Sequence, residues 1–129
     1  MKALSILLSC IIFCSFTQSS SDLSFLYQTW SLSQYKNNNG NPIITYKSTK
    51  EIGNRSGYQF RKDGTLSVSL SVSQYICEID NTFELVEGKW KFSEDSILEV
   101  SYESNGYSYH QVFVLKQLNA LELVLHKQE

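Results

Sequence analysis

The sequence predicts an all-β domain, an antiparallel up-and-down barrel of about eight strands. Beyond Tyr27 the apolar residues recur with a period of two, and nowhere do they show the three- and four-residue spacing of an amphipathic helix. The strictest alternation covers residues 66–73, where four aliphatic side chains share one face and four serines share the other. Short turn motifs separate these runs, which is typical of strands that follow one another as hairpins.

Eight strands are expected, over residues 29–35, 43–46, 58–60, 65–72, 83–92, 97–102, 107–116 and 121–126. Asp63-Gly64 and Asn105-Gly106 each offer a residue pair that tolerates positive φ, so both should form hairpin turns. Asn119-Ala120 precedes the last strand, and residues 93–96 link the fifth strand to the sixth. Strands joined in order by tight turns can close into a barrel, which leaves no sheet edge. A β-sandwich is the alternative, and it would need longer crossovers than the two long connections near the front, residues 36–41 and 47–56.

The first residues have the pattern of a secretory signal peptide. One lysine precedes an apolar run and a short serine-rich stretch, and small residues allow cleavage after Thr17 or Ser19. The apolar run is too short for a transmembrane helix. We therefore expect a leader over residues 1–19, a barrel domain over residues 20–129, and export to the periplasm or the medium. A lipid-anchored form through Cys10 is less favoured, because the apolar run before that cysteine is very short.

Composition excludes several classes of protein. The chain has 129 residues and a formal net charge of −2, and loss of Lys2 with the leader brings the charge to −3. Lysines are scattered singly, so the sequence gives no footprint for nucleic acid, and no membrane span is expected beyond the leader. Cys77 would be the one remaining cysteine, so stability must come from an apolar core rather than a disulfide.

Several short motifs resemble those of bacterial lipocalin-like proteins, in the same order and at similar intervals. They are Trp30 in an early strand, the hairpin segment 60–64, Gly88-Lys89-Trp90 followed by a turn and Ile97-Leu98, and a closing Leu121-Glu122-Leu123. Gln28 stands where the family usually has a glycine, so the chain resembles a reduced lipocalin-like barrel.

The resemblance implies a container for a small hydrophobic ligand, held in the barrel interior. Strand alternation counted from Trp90 selects aromatic candidates for the lining of such a cavity. They are Tyr58, Phe60, Trp90, Tyr102, Tyr109 and Phe113. A tyrosine can line an apolar pocket with its ring and orient a ligand with its hydroxyl. The other interpretation is that these rings simply fill the interior.

No catalytic, metal or cofactor site is expected. The sequence has no nucleophile motif, no phosphate loop and no dinucleotide fingerprint, and His110 and His126 lack the ligand spacing of a metal site. The carboxylates of the second half should be solvated. The alternative to ligand binding is a protein-interaction or inhibitor module that uses the barrel surface and the front loops, with a partner that the sequence does not identify.

Overall fold

The computed structural model describes residues 23–53, 55–71, 83–93 and 95–129. The expected leader and Cys77 lie outside the described residues. A short 3₁₀ helix, Leu23–Leu26, precedes eight strands. The strands are β1 (Thr29–Lys36), β2 (Ile43–Thr49), β3 (Gly57–Phe60), β4 (Thr65–Ser71), β5 (Phe83–Ser93), β6 (Ile97–Ser104), β7 (Tyr107–Leu118) and β8 (Glu122–Lys127). None of the described residues forms a helix long and apolar enough to cross a membrane.

The eight strands form one closed antiparallel barrel, as predicted. The order around the barrel is β1-β2-β8-β7-β6-β5-β4-β3, with β3 returning to β1. This order departs from a simple meander at one place, because β1 lies between β2 and β3. The connection over residues 50–56 is longer than the tight turns elsewhere. Seven residues span more than the roughly 10 Å that separates strands on either side of a common neighbour, so this connection can pass across β1.

The tight turns follow the sequence motifs that predicted them. Asn105 and Gly106 both have positive φ, of 52° and 79°, as the turn between β6 and β7 requires. Gly64 (φ 88°) ends the turn between β3 and β4, where the backbone N–H of Thr65 donates to Asp63 Oδ1 at 2.9 Å. The Asn119 side chain accepts hydrogen bonds from two backbone N–H groups at the start of β8. Local turn chemistry thus sets three of the hairpins.

The 3₁₀ helix closes one end of the barrel, which we call the helix end. Leu26 is buried there, and its carbonyl accepts a hydrogen bond of 3.1 Å from the indole N–H of the fully buried Trp30. The β3–β4 and β7–β8 turns lie at this end. The opposite end, called the far end, carries the β1–β2 loop, the β6–β7 turn and the residues after β8. The buried core runs between the two ends and consists of Leu26, Trp30, Ile44, Tyr46, Tyr58, Phe60, Leu66, Val68, Leu98, Val100, Tyr102, Phe113, Leu123 and Leu125.

Strand β1 is paired on both sides only over its first half. It pairs with β3 through residues 29–31, and the N–H of Leu32 then donates to the Ser56 carbonyl at 2.8 Å. A bulge between Leu32 and Gln34 shifts its register against β2. Residues 33–36 are exposed and have no strand partner on the β3 side among the described residues. Strands β1 and β3 therefore separate toward the far end.

Candidate functional site

A cavity of about 200 Å³ lies inside the half of the barrel that faces the far end. Its walls come from seven strands, all except β5, and from Ser56 just before β3. The lining residues are Leu32, Tyr35, Ile44, Tyr46, Ser56, Gly57, Tyr58, Val68, Ser69, Leu70, Tyr102, Gln111, Phe113 and Lys127. The helix-end half is filled by buried side chains. The interior is therefore filled in the helix-end half and hollow in the far-end half.

Four of the residues that line this cavity are tyrosines. Tyr46, Tyr58 and Tyr102 are all less than 9% exposed. Burial raises the pKa of Tyr46 and of Tyr58 well above the ordinary value; the neighbouring hydroxyls raise the pKa of Tyr58 further, whereas Tyr58 partly offsets the rise at Tyr46. Burial also raises the pKa of Tyr102. At neutral pH these side chains are uncharged hydroxyl groups that can donate or accept hydrogen bonds.

One of the tyrosines is hydrogen-bonded to Gln111 across the barrel. The Tyr58 hydroxyl donates to Gln111 Oε1 at 3.0 Å, from β3 to β7. The Tyr46 ring lies beside Tyr58, with the two ring centroids 5.6 Å apart. Both N–H groups of the Gln111 amide have no partner among the described residues and can donate to an acceptor.

Ser69 borders the cavity without pointing its hydroxyl into it. It pairs with Leu85, which is exposed on the outer face of β5, and residues paired across two strands share a face. Its Oγ is buried and has no hydrogen-bond partner among the described residues, but it has the outward phase of the strand.

The structure brings three of the six sequence-predicted lining residues together. Tyr58, Tyr102 and Phe113 line the cavity. Phe60 is buried, but it packs edge-on against Trp90 at 5.8 Å between ring centroids and lies outside the lining. The Trp90 indole N–H donates to the Arg61 carbonyl at 2.8 Å, which holds this half-buried ring at the helix end.

Tyr109 has the inward phase that alternation predicted, but it does not line the cavity. It is 42% exposed, and its ring stacks on Tyr102 with the centroids 5.1 Å apart. It lies two residues after the start of β7, beside the β6–β7 turn, so little of the barrel wall surrounds it. Tyr109 therefore packs beside the cavity residue Tyr102 and is not part of the lining.

Sequence reasoning missed Tyr46, Gln111 and Lys127 as lining residues. All three follow the alternation of their strands: Tyr46 follows Ile44 by two residues, and Lys127 follows Leu125. Gln111 lies two residues before Phe113 in the same phase. Side chains that carry polar groups at inward positions of their strands were the available signal for these three.

The outer face of β5, β6 and β7 has a wider depression of about 580 Å³, but its carboxylates already bind neighbouring side chains. Glu99 lies between Lys91 Nζ at 3.1 Å and His110 Nε2 at 3.3 Å. Lys91 first, and His110 with it, lowers the pKa of Glu99. The described residues contain no group of three side chains suited to a metal ion. The interior cavity is the better candidate for a ligand, because buried apolar side chains form its walls.

The closed barrel of eight antiparallel strands agrees with the lipocalin-like resemblance at the level of fold. Comparison with protein-family models, with curated proteins and with solved structures finds no match for the chain.

Proposed function

We propose that the protein is an exported, lipocalin-like barrel that binds a small hydrophobic ligand in the interior cavity and performs no catalysis. The observation that carries the proposal is the cavity itself, because its walls combine buried apolar side chains with hydroxyl and amide groups. That combination is typical of sites that bind a hydrophobic ligand in one orientation. The exported location depends on the predicted leader.

The volume of the cavity limits the size of the ligand. Ligand pockets usually enclose about 300–1,000 Å³, whereas an apolar cavity of about 150 Å³ is enough to hold benzene. The 200 Å³ available here fits one ring with a small substituent. Larger lipid-like molecules would require the barrel to expand.

The divergence of β1 from β3 provides a route of access. The half of β1 beyond Leu32 is exposed, and Tyr35, which lines the cavity, is 59% exposed. A ligand reaching the cavity from the far end would pass this strand without disturbing the filled core at the helix end.

A cavity-filling variant with a matched control tests the proposal. 4-Methylphenol is a neutral single-ring probe whose affinity can be measured by titration calorimetry and by NMR shift changes. Leu70 is half-buried and lines the cavity, so Leu70→Trp should occupy the site at little cost to folding and weaken the probe at least about tenfold. Leu85 is 52% exposed on the outer face of the neighbouring strand, and Leu85→Trp should leave the affinity within about twofold.

Two results would contradict the proposal. One is a wild-type protein that does not bind the probe. The other is equal affinity in wild type and Leu70→Trp, which would place any binding outside the cavity. Native mass spectrometry of protein from its own host adds an independent measurement, because a ligand of this size should be detected as a fixed mass increment.

A further inference from the structure

The cavity has a single charged lining residue among those described, and that residue is a cation. Lys127 is the last residue of β8 and continues the inward alternation of Leu123 and Leu125, both of which are fully buried. Its Cα pairs with that of Phe113, another lining residue. No described lining residue carries a carboxylate, and Lys127 makes no ion pair with any described carboxylate.

Several hydrogen-bonding groups of the cavity can act as donors toward a ligand. The Gln111 amide oxygen already accepts from Tyr58, so the amide contributes its N–H groups. The Tyr102 hydroxyl can donate a proton as well. Lys127 adds three N–H groups. A ligand that matches this surface must bring acceptors and, to balance Lys127, a negative charge.

The position of Lys127 sets the orientation in which a charged ligand would bind. Its backbone N–H donates to the Pro42 carbonyl at 2.9 Å, which places the residue beside the β1–β2 loop at the far end. Phe113, which pairs with Lys127, and Ile44 are both buried and line the cavity beside it. A ligand would therefore place its charged head toward the far end and its apolar part toward the core.

We propose that the ligand is a small aromatic carboxylate whose carboxylate group binds Lys127 while its ring packs against Phe113 and Ile44. This inference rests on the proposed function, since it names the chemical class of ligand for the same cavity. The volume agrees with it, because about 200 Å³ accommodates one ring and a short acid substituent. A hydrogen-bonded ion pair that is partly shielded from water adds more affinity than a neutral contact of the same shape.

Phenylacetate and phenylacetamide test this inference because they have nearly the same size and differ in charge. We expect wild-type protein to bind phenylacetate about tenfold more tightly than phenylacetamide, as for a charged hydrogen bond at a partly exposed site. Lys127→Met keeps the length of the aliphatic stem and should abolish this preference by weakening phenylacetate alone. Lys127→Arg should retain most of it. Thermal melting of each variant shows whether the fold is intact.

Lys89→Met is the matched control, because Lys89 is exposed on the outer face of β5 and its removal changes the net charge equally. It should leave both affinities unchanged. Equal affinity of the two compounds in wild type, or an equal loss of both in Lys127→Met, would overturn the carboxylate assignment while cavity binding stands. If neither these compounds nor 4-methylphenol binds, the proposed function fails and the assignment falls with it.

Discussion

The contact between β1 and β3 can be tested at Gly57, the first residue of β3. A Cβ atom at this position would lie 2.0 Å from the Trp30 carbonyl oxygen and 3.2 Å from the Ser31 Cα. Real Cβ atoms essentially never come closer than 3.0 Å, so Gly57→Ala would force the two strands about 1 Å apart. Both obstacles are backbone atoms, and no side-chain rotation can relieve the contact. Strand separation at this point would strain the pairing that closes the barrel.

The loss of folding free energy in Gly57→Ala has three contributions. Overpacking destabilises the folded protein by about 1–3 kcal/mol, and each weakened ladder hydrogen bond adds about 1 kcal/mol. Alanine offsets about 0.5 kcal/mol of this loss, because it lowers the conformational entropy of the unfolded chain. A net loss of about 3 kcal/mol should lower the midpoint of thermal unfolding by about 15 °C in a domain of this size. The midpoint can be measured by circular dichroism.

Gly106→Ala is the control for this measurement. Gly106 has a φ of 79° and nothing within 4 Å of its ideal Cβ, so the substitution costs backbone strain without a clash. That strain amounts to about 1 kcal/mol, or about 5 °C. A Gly57→Ala midpoint no lower than that of Gly106→Ala would refute the close approach of β3 to Trp30, and with it the strand order around β1.

Two further predictions concern the aromatic residues. Because burial raises the pKa of Tyr46 and Tyr58 in the folded protein, the unfolded chain binds fewer protons above about pH 10, and stability should fall as the pH rises through that value. The double variant Tyr46→Phe/Tyr58→Phe should show a shallower decline between pH 9 and pH 11 in urea unfolding, and an unchanged slope would contradict the assigned burial. Trp90→Phe removes the N–H that donates to the Arg61 carbonyl and should lower the free energy of unfolding by about 1–2 kcal/mol. An unfolding midpoint in urea equal to that of wild type would show that this hydrogen bond contributes nothing.

Local sequence could predict the hairpins because their causes are local. Asn105-Gly106 needs only two residues that adopt positive φ, and both do. The position of β1 could not be predicted in this way, because it depends on contacts between Trp30 and Gly57 that lie far apart in the chain. A seven-residue connection permits a crossover but does not require one.

The same distinction explains the outcome at the candidate site. Alternation gives the phase of a side chain, and it correctly places Tyr58 and Phe113 on the inner face. It does not give the height of that side chain along the barrel axis. Trp90 and Tyr109 have the inward phase but lie near opposite ends of the barrel, so neither reaches the cavity.

The unpaired half of β1 has a consequence for solubility. A closed barrel normally presents no free strand edge, yet the backbone N–H and C=O groups of residues 33–36 have no partner on one side among the described residues. Such a stretch is a template on which the strand of another molecule can add. The bulge at Leu32/Gln34 bends this edge, and the charge of Lys36 opposes a close neighbour. Deleting Ser33 to straighten the strand should therefore increase self-association in light scattering.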